Sequence, residues 1–155
     1  MSAPLLTVLT FLPAAGAAVV VALPRRDALI RWVALLVAIA TFVVSLALYA
    51  DFDLRNPGYQ FEERLAWMPT FGIAYHLGVD GISLLLVLLT AFLSPLALLS
   101  SWRAVEVKLK EFAVTMLLLE TGMLGVFVSL DLFLFYIFWE AMLIPMYFII
   151  GVWGG

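Results

Sequence analysis

Apolar residues run along this chain in five long blocks broken by short polar punctuation. A helix needs about 20 apolar residues to cross ~30 Å of hydrocarbon at ~1.5 Å per residue. The pattern therefore predicts membrane spans over about 4–23, 30–50, 79–101, 112–130 and 132–150. The first block is too long and unbroken for a signal peptide, and Arg25-Arg26 follows rather than precedes it, so it is read as a retained helix. Pro24 to Asp27 forms a tight polar turn, 102–111 a short polar connection, and Asp131 marks a very tight turn between the last two spans. The segment 51–77 is the sizeable extramembrane loop. It carries the turn signal Asn56-Pro57-Gly58 and the acidic pair Glu62-Glu63, and Trp67, Phe71 and Tyr75 lay it against the membrane surface. No internal repeat or low-complexity segment is visible.

Composition agrees with an all-α membrane protein: 66% hydrophobic, 12% charged, with mean hydropathy +1.16. The formal charge of −3 carries no nucleic-acid signature, because the few basic residues sit at span ends. Connections one and three hold Arg25, Arg26, Arg31, Arg103, Lys108 and Lys110, whereas connection two holds Arg55 and Arg64 among several acids. Excess Lys and Arg mark the cytoplasmic side, which places the N-terminus and the 51–77 loop outside and the end of the fifth span inside. With no cysteine, thiolate chemistry, disulfides and cysteine-held iron–sulfur clusters are excluded, and one histidine makes no His-rich metal site.

Two acids interrupt the apolar blocks. Glu140 lies near the middle of the fifth, where a central charge costs about 2.5–3.5 kcal/mol and each Leu, Ile or Phe returns about 0.3–0.6. The surrounding apolar residues outweigh that cost, so the span inserts, but its carboxylate needs water, a proton or a partner inside the protein. Pro145 has no N–H for the Ala141 carbonyl and should kink the helix, leaving an acceptor open beside a buried Glu140. Glu120 lies inside the fourth span, as far from residue 130 as Glu140 is, so both fall near mid-membrane. Gly122 and Gly125 would let the two helices approach closely. Two carboxylates facing each other there would be suited to proton relay, and helix rotation decides whether they do. A structural role, with each Glu hydrogen-bonded to a neighbouring helix, is the rival. His76, Asp80 and Asp131 are accessory candidates at the membrane boundary; for Asp80 and His76, capping and loop packing compete with proton transfer. The aromatic crowd Phe133, Phe135, Tyr136, Phe138 and Trp139 is read as packing rather than a quinone site. Pro13 and Pro95 read as packing bends.

Two stretches resemble a known family. Tyr75-His-Leu-Gly-Val-Asp-Gly-Ile-Ser83 and, more specifically, Leu124 to Gly154 with its Phe-Trp-Glu140-x4-Pro145-Met-Tyr core are similar to the N-terminal portion of subunit M of bacterial NADH-quinone oxidoreductase, chain 4 in mitochondrial complex I. The resemblance implies a proton-translocating, antiporter-like subunit of about fourteen spans, of which five are seen here. It implies Glu140 as the essential mid-membrane glutamate, paired in the family with a lysine on a later helix, and Glu120 as the additional carboxylate on the preceding one. No lysine lies within a predicted span, so the chain reads as a fragment that alone would not pump. By the same resemblance this chain carries no cofactor or metal. NADH, flavin (FMN), iron–sulfur clusters and quinone belong to partner subunits, neighbouring antiporter-like subunits are the partners, and the location is the bacterial inner membrane. The alternatives are a subunit of a sodium/proton antiporter or membrane-bound hydrogenase, and a non-catalytic membrane scaffold.

Overall fold

A computed structural model of the chain describes residues 4–53, 55, 58–101 and 108–153. The Asn56-Pro57 part of the expected turn and Arg103 in the third connection lie outside the described residues. The five apolar blocks form α1 (Leu5–Ala22), α2 (Asp27–Ala50), α3 (Gly81–Ser100), α4 (Leu109–Val128) and α5 (Leu132–Trp153), each long and apolar enough to cross a membrane. The helix α4 begins earlier than the hydropathy pattern suggested because the first-turn Lys110 finds a use. Its Nζ donates to the Val21 and Leu23 carbonyls, at 2.9 and 2.5 Å, and so occupies acceptors left open at the end of α1. Beside it Arg25 forks onto Glu111, with Nη1 and Nη2 donating to its two carboxylate oxygens at 3.1 and 2.7 Å.

The central helix is α4, which touches the other four. Of the most apolar 18-residue window of each helix, 50% is buried in α4 and only 17% in α5, so α5 lies at the periphery and packs chiefly on α4. That contact is made by small residues. A Cβ on Gly122 would stand 2.9 Å from the Met142 Cα, and one on Gly125 would stand 2.2 Å from the Phe138 ring. The helices approach this closely only because neither glycine has a side chain.

The loop between α2 and α3 contains structure that its sequence did not announce. It forms an antiparallel hairpin of β1 (Gln60–Met68) and β2 (Ile73–Val79), joined through the 3-10 turn Pro69–Phe71 and Gly72, whose φ is +68°. Gln60 pairs with Val79, Arg64 with His76 and Ala66 with Ala74, with irregularities in the register on either side. The hairpin is held by the helix ends beneath it. Glu63 accepts from the Leu6 and Thr7 amides at 2.8 and 3.3 Å and from the Thr7 hydroxyl, which also bonds the Tyr75 hydroxyl at 2.8 Å. A strand carboxylate thus satisfies the first-turn donors of α1, which has no cap of its own. The Leu130 amide donates to the His76 carbonyl at 2.8 Å, and Leu77 bridges to Ser129. Leu77 and Val79 then enter the same buried cluster as Leu6, Leu9, Leu124 and Phe138. The hairpin is therefore packed into the core at this end of the bundle, while its Trp67 and Phe71 remain exposed.

Candidate functional site

The sites flagged in the sequence fall into two groups, one at the hairpin end and one inside the bundle. At the hairpin end, Asp80 caps α3 through a reciprocal box: its Oδ1 accepts from the Ser83 amide at 2.9 Å, and the Ser83 hydroxyl accepts from the Asp80 amide at 2.9 Å. The Ser83 amide first, and its hydroxyl second, hold the Asp80 carboxyl below its usual range. Asp131 does the same for α5. Its Oδ1 accepts from the Phe133 and Leu134 amides at 2.9 and 3.1 Å, while Oδ2 reaches across to the Ala74 amide of β2 at 2.9 Å. The Ala74 amide, then that of Leu134, lowers its affinity for protons. His76 pairs with Glu62 at 3.2 Å. These three residues therefore fasten helix starts and hairpin, and Asp131 does both at once.

Inside the bundle, the two glutamates do not meet. At 100° per residue, Glu140 lies about 180° round α5 from the Phe138 and Met142 pair, and Glu120 about 170° round α4 from Gly122 and Gly125. Because the glycines draw the helices together on the faces between, both carboxylates are turned outward, in opposite directions. Each stands eight residues from the helix end at the Asp131 turn, ~12 Å along the axis, so their depth is shared and their surroundings are not.

Glu120 points toward α3 and is 3% exposed. The Ser94 hydroxyl of α3 donates to its Oε1 at 2.9 Å, and Oε2 has no partner among the described residues. It lines a cavity of about 350 Å³ between α3 and α4 together with Thr90, Ser94, Leu93, Met116 and Met123. Ser94 was not singled out in the sequence: a lone serine in a leucine-rich span gives no signal there, and only the packing of α3 on α4 reveals it.

Glu140 corrects the expectation of a buried carboxylate. Its side chain is exposed on the outer face of α5, in a groove that starts at Phe71, Gly72 and Asp131 near the hairpin turn and passes Tyr136 and Trp139. Pro145 faces the other way. It is buried and lines, with Ala141, Ile144, Phe138 and Thr121, a separate apolar groove of about 750 Å³ bounded by α1, α4, α5 and the hairpin. The acceptor that Pro145 leaves open thus does not share a groove with Glu140, although α5 runs through the proline as one helix. No group of three or more His, Asp or Glu suited to a metal ion occurs among the described residues.

The arrangement can be compared with known proteins. No family model matches the chain. It is 53% identical over 97% of its length to NADH-quinone oxidoreductase subunit M of Rhodobacter capsulatus, covering 30% of that protein. It is 43% identical over 92% of its length to NADH-ubiquinone oxidoreductase chain 4 of Arabidopsis thaliana, covering 29%. Among solved structures, a chain of respiratory complex I from Thermus thermophilus with bound NADH superposes with a TM-score of 0.78 at 29% identity, over 95% of this chain and 29% of that one. The chain spans about 30% of the length of the curated relatives it matches. Five membrane-crossing helices and these relatives make it a multi-pass membrane protein, and it belongs to the family of NADH-quinone oxidoreductase subunit M, or NADH-ubiquinone oxidoreductase chain 4.

Proposed function

We propose that this chain forms part of a proton-translocating, antiporter-like subunit of a bacterial inner-membrane NADH-quinone oxidoreductase, and that Glu140 is its principal proton-handling group. One observation carries the reading: a carboxylate lies in mid-helix on the outer face of the least covered span. A carboxylate facing lipid there costs about 2.5–3.5 kcal/mol, which is repaid only if protein, water or a proton meets it. The exposed face of α5 around Tyr136, Trp139 and Tyr147 is where further parts of the subunit would stand, with Glu140 at their interface.

In this mechanism the electrons never enter the chain. NADH, FMN, iron–sulfur clusters and quinone act in partner subunits, and neighbouring antiporter-like subunits relay the charge movement. Glu140 takes and gives up a proton as the charge beside it changes, since a neighbouring cation stabilises its ionised form and an anion or a dry surrounding destabilises it. Glu120 is a second proton-holding group, screened from Glu140 by the whole thickness of the α4–α5 contact. The inward-facing ends are those with Arg25 and Lys110, following the bias of basic residues. The test is substitution of Glu140 in the complete complex: the aspartate variant should keep proton translocation, and the glutamine variant should assemble and not translocate. Translocation by an assembled glutamine variant overturns the reading.

A further inference from the structure

The proposed role of Glu120 leaves open what its free oxygen bonds, and the cavity beside it supplies an answer. A buried polar atom left unpaired costs ~1–3 kcal/mol, more if charged. Oε2 is such an atom, at 3% residue exposure, while Oε1 is held by Ser94 at 2.9 Å. The cavity it lines measures about 350 Å³ and is mostly apolar, with Thr90, Ser94 and Glu120 as its polar residues. One water occupies ~30 Å³ in the liquid and needs two to four polar partners when buried, so water is held only at this polar end. Those partners are present on one face of α3. Thr90 and Ser94 lie one turn apart and both line the cavity. The Thr90 hydroxyl donates to the Leu86 carbonyl at 2.9 Å, which leaves its lone pairs free to accept.

We infer that the α3–α4 cavity is a hydrated site in which Ser94 is a positioning residue: its hydroxyl fixes one oxygen of Glu120 so that the other faces water bound between Thr90 and Ser94. The proton of Glu120 is then exchanged through α3, with no route through Glu140, because the two side chains leave the α4–α5 contact in opposite directions. This deepens the proposed function, resting on it for the use of the proton but not for the presence of the water.

Residues 1–155 hold no cysteine, so an introduced thiol is the sole one in this stretch and its modification is read on the peptide that carries it. Thiol reagents attack the thiolate, which forms where water reaches. In the complete complex in native membranes, Thr90→Cys should be modified by a small water-soluble maleimide several-fold faster than Val87→Cys, which lies one turn away in packed core at 0% exposure. Modification is read by the mass of that peptide. Equal rates show a dry cavity and overturn the hydrated site, whether or not the complex pumps. For Ser94, the readout is the carbonyl stretch of the protonated Glu120, identified as the infrared band absent in Glu120→Gln. Ser94→Ala should shift it upward by removing a donor, and Ser94→Thr should restore it. A band unmoved by Ser94→Ala overturns the positioning role; where Ser94→Ala does not assemble, Ser94→Cys, a weaker donor, takes its place and an unmoved band there overturns it equally.

Discussion

Glu120 and Glu140 stand at one depth on two helices that touch, and they differ in nearly everything else. Glu120 is enclosed by its own bundle, held by one serine and open to a small cavity. Glu140 is exposed on a face lined by Tyr136 and Trp139. The two glycines that close the α4–α5 contact create this division, since they occupy the only sides on which the acids could have met. The comparison teaches that depth in a membrane does not assign a role to a carboxylate. What assigns it is which neighbour each helix face was built to receive.

The comparison is most easily broken at the contact that sets it. Gly125→Leu would drive a side chain into the Phe138 ring, already within 2.2 Å of where its Cβ must go. Overpacking of this kind costs about 1–3 kcal/mol and more when both helices are anchored. The expected outcome is loss of the assembled complex on a native gel, with Gly125→Ala less severe. Asp131→Ala should follow in size. It removes a helix cap, worth ~0.5–2 kcal/mol, and with the other oxygen of the same carboxylate the bond to Ala74 that holds the hairpin. Its pH dependence has a definite sign. Because the folded carboxyl binds protons more weakly than the unfolded one, its stabilisation is complete above about pH 4 and is lost as pH falls through the lower, folded value. Thermal melts of the wild type should therefore lose more between neutral pH and pH 3 than those of Asp131→Asn.

A smaller effect is expected for Glu120→Gln. The amide oxygen can still accept from Ser94, so assembly should change by no more than about 1 kcal/mol, while translocation falls without vanishing. An assembled variant with unchanged translocation would make Glu120 a structural residue. Least of all should come from Arg25→Ala. Its pair with Glu111 is solvent-exposed at both partners, and such pairs contribute little to stability. A large drop in melting temperature there would mean that the basic end is more tightly built than its exposure suggests.

Much of this was legible in the residues. Apolar runs of membrane length give five helices whatever the details of packing, and the capping geometry at Asp80 needs only Ser83 three residues on. The hairpin was not legible because Phe61-Glu62-Glu63-Arg64-Leu65 shows no alternation of apolar and polar residues: the inward position between Glu62 and Arg64 is filled by another acid, Glu63. Its pairing is stabilised by Glu63 on the start of α1, a contact 57 residues away in sequence. The depth of the two glutamates followed from counting residues, but their directions followed from Gly122 and Gly125 meeting Met142 and Phe138. Ser94 could not be ranked above Thr90 or Ser100 until α3 was seen against α4.

The most direct measurement is proton translocation by inverted membrane vesicles carrying Glu140→Gln or Glu120→Gln in the complete subunit, with assembly and NADH oxidation measured on the same preparations. The account predicts assembled complexes in both, translocation abolished by the substitution at Glu140 and only lowered by that at Glu120. Retained translocation in the Glu140→Gln vesicles would contradict it.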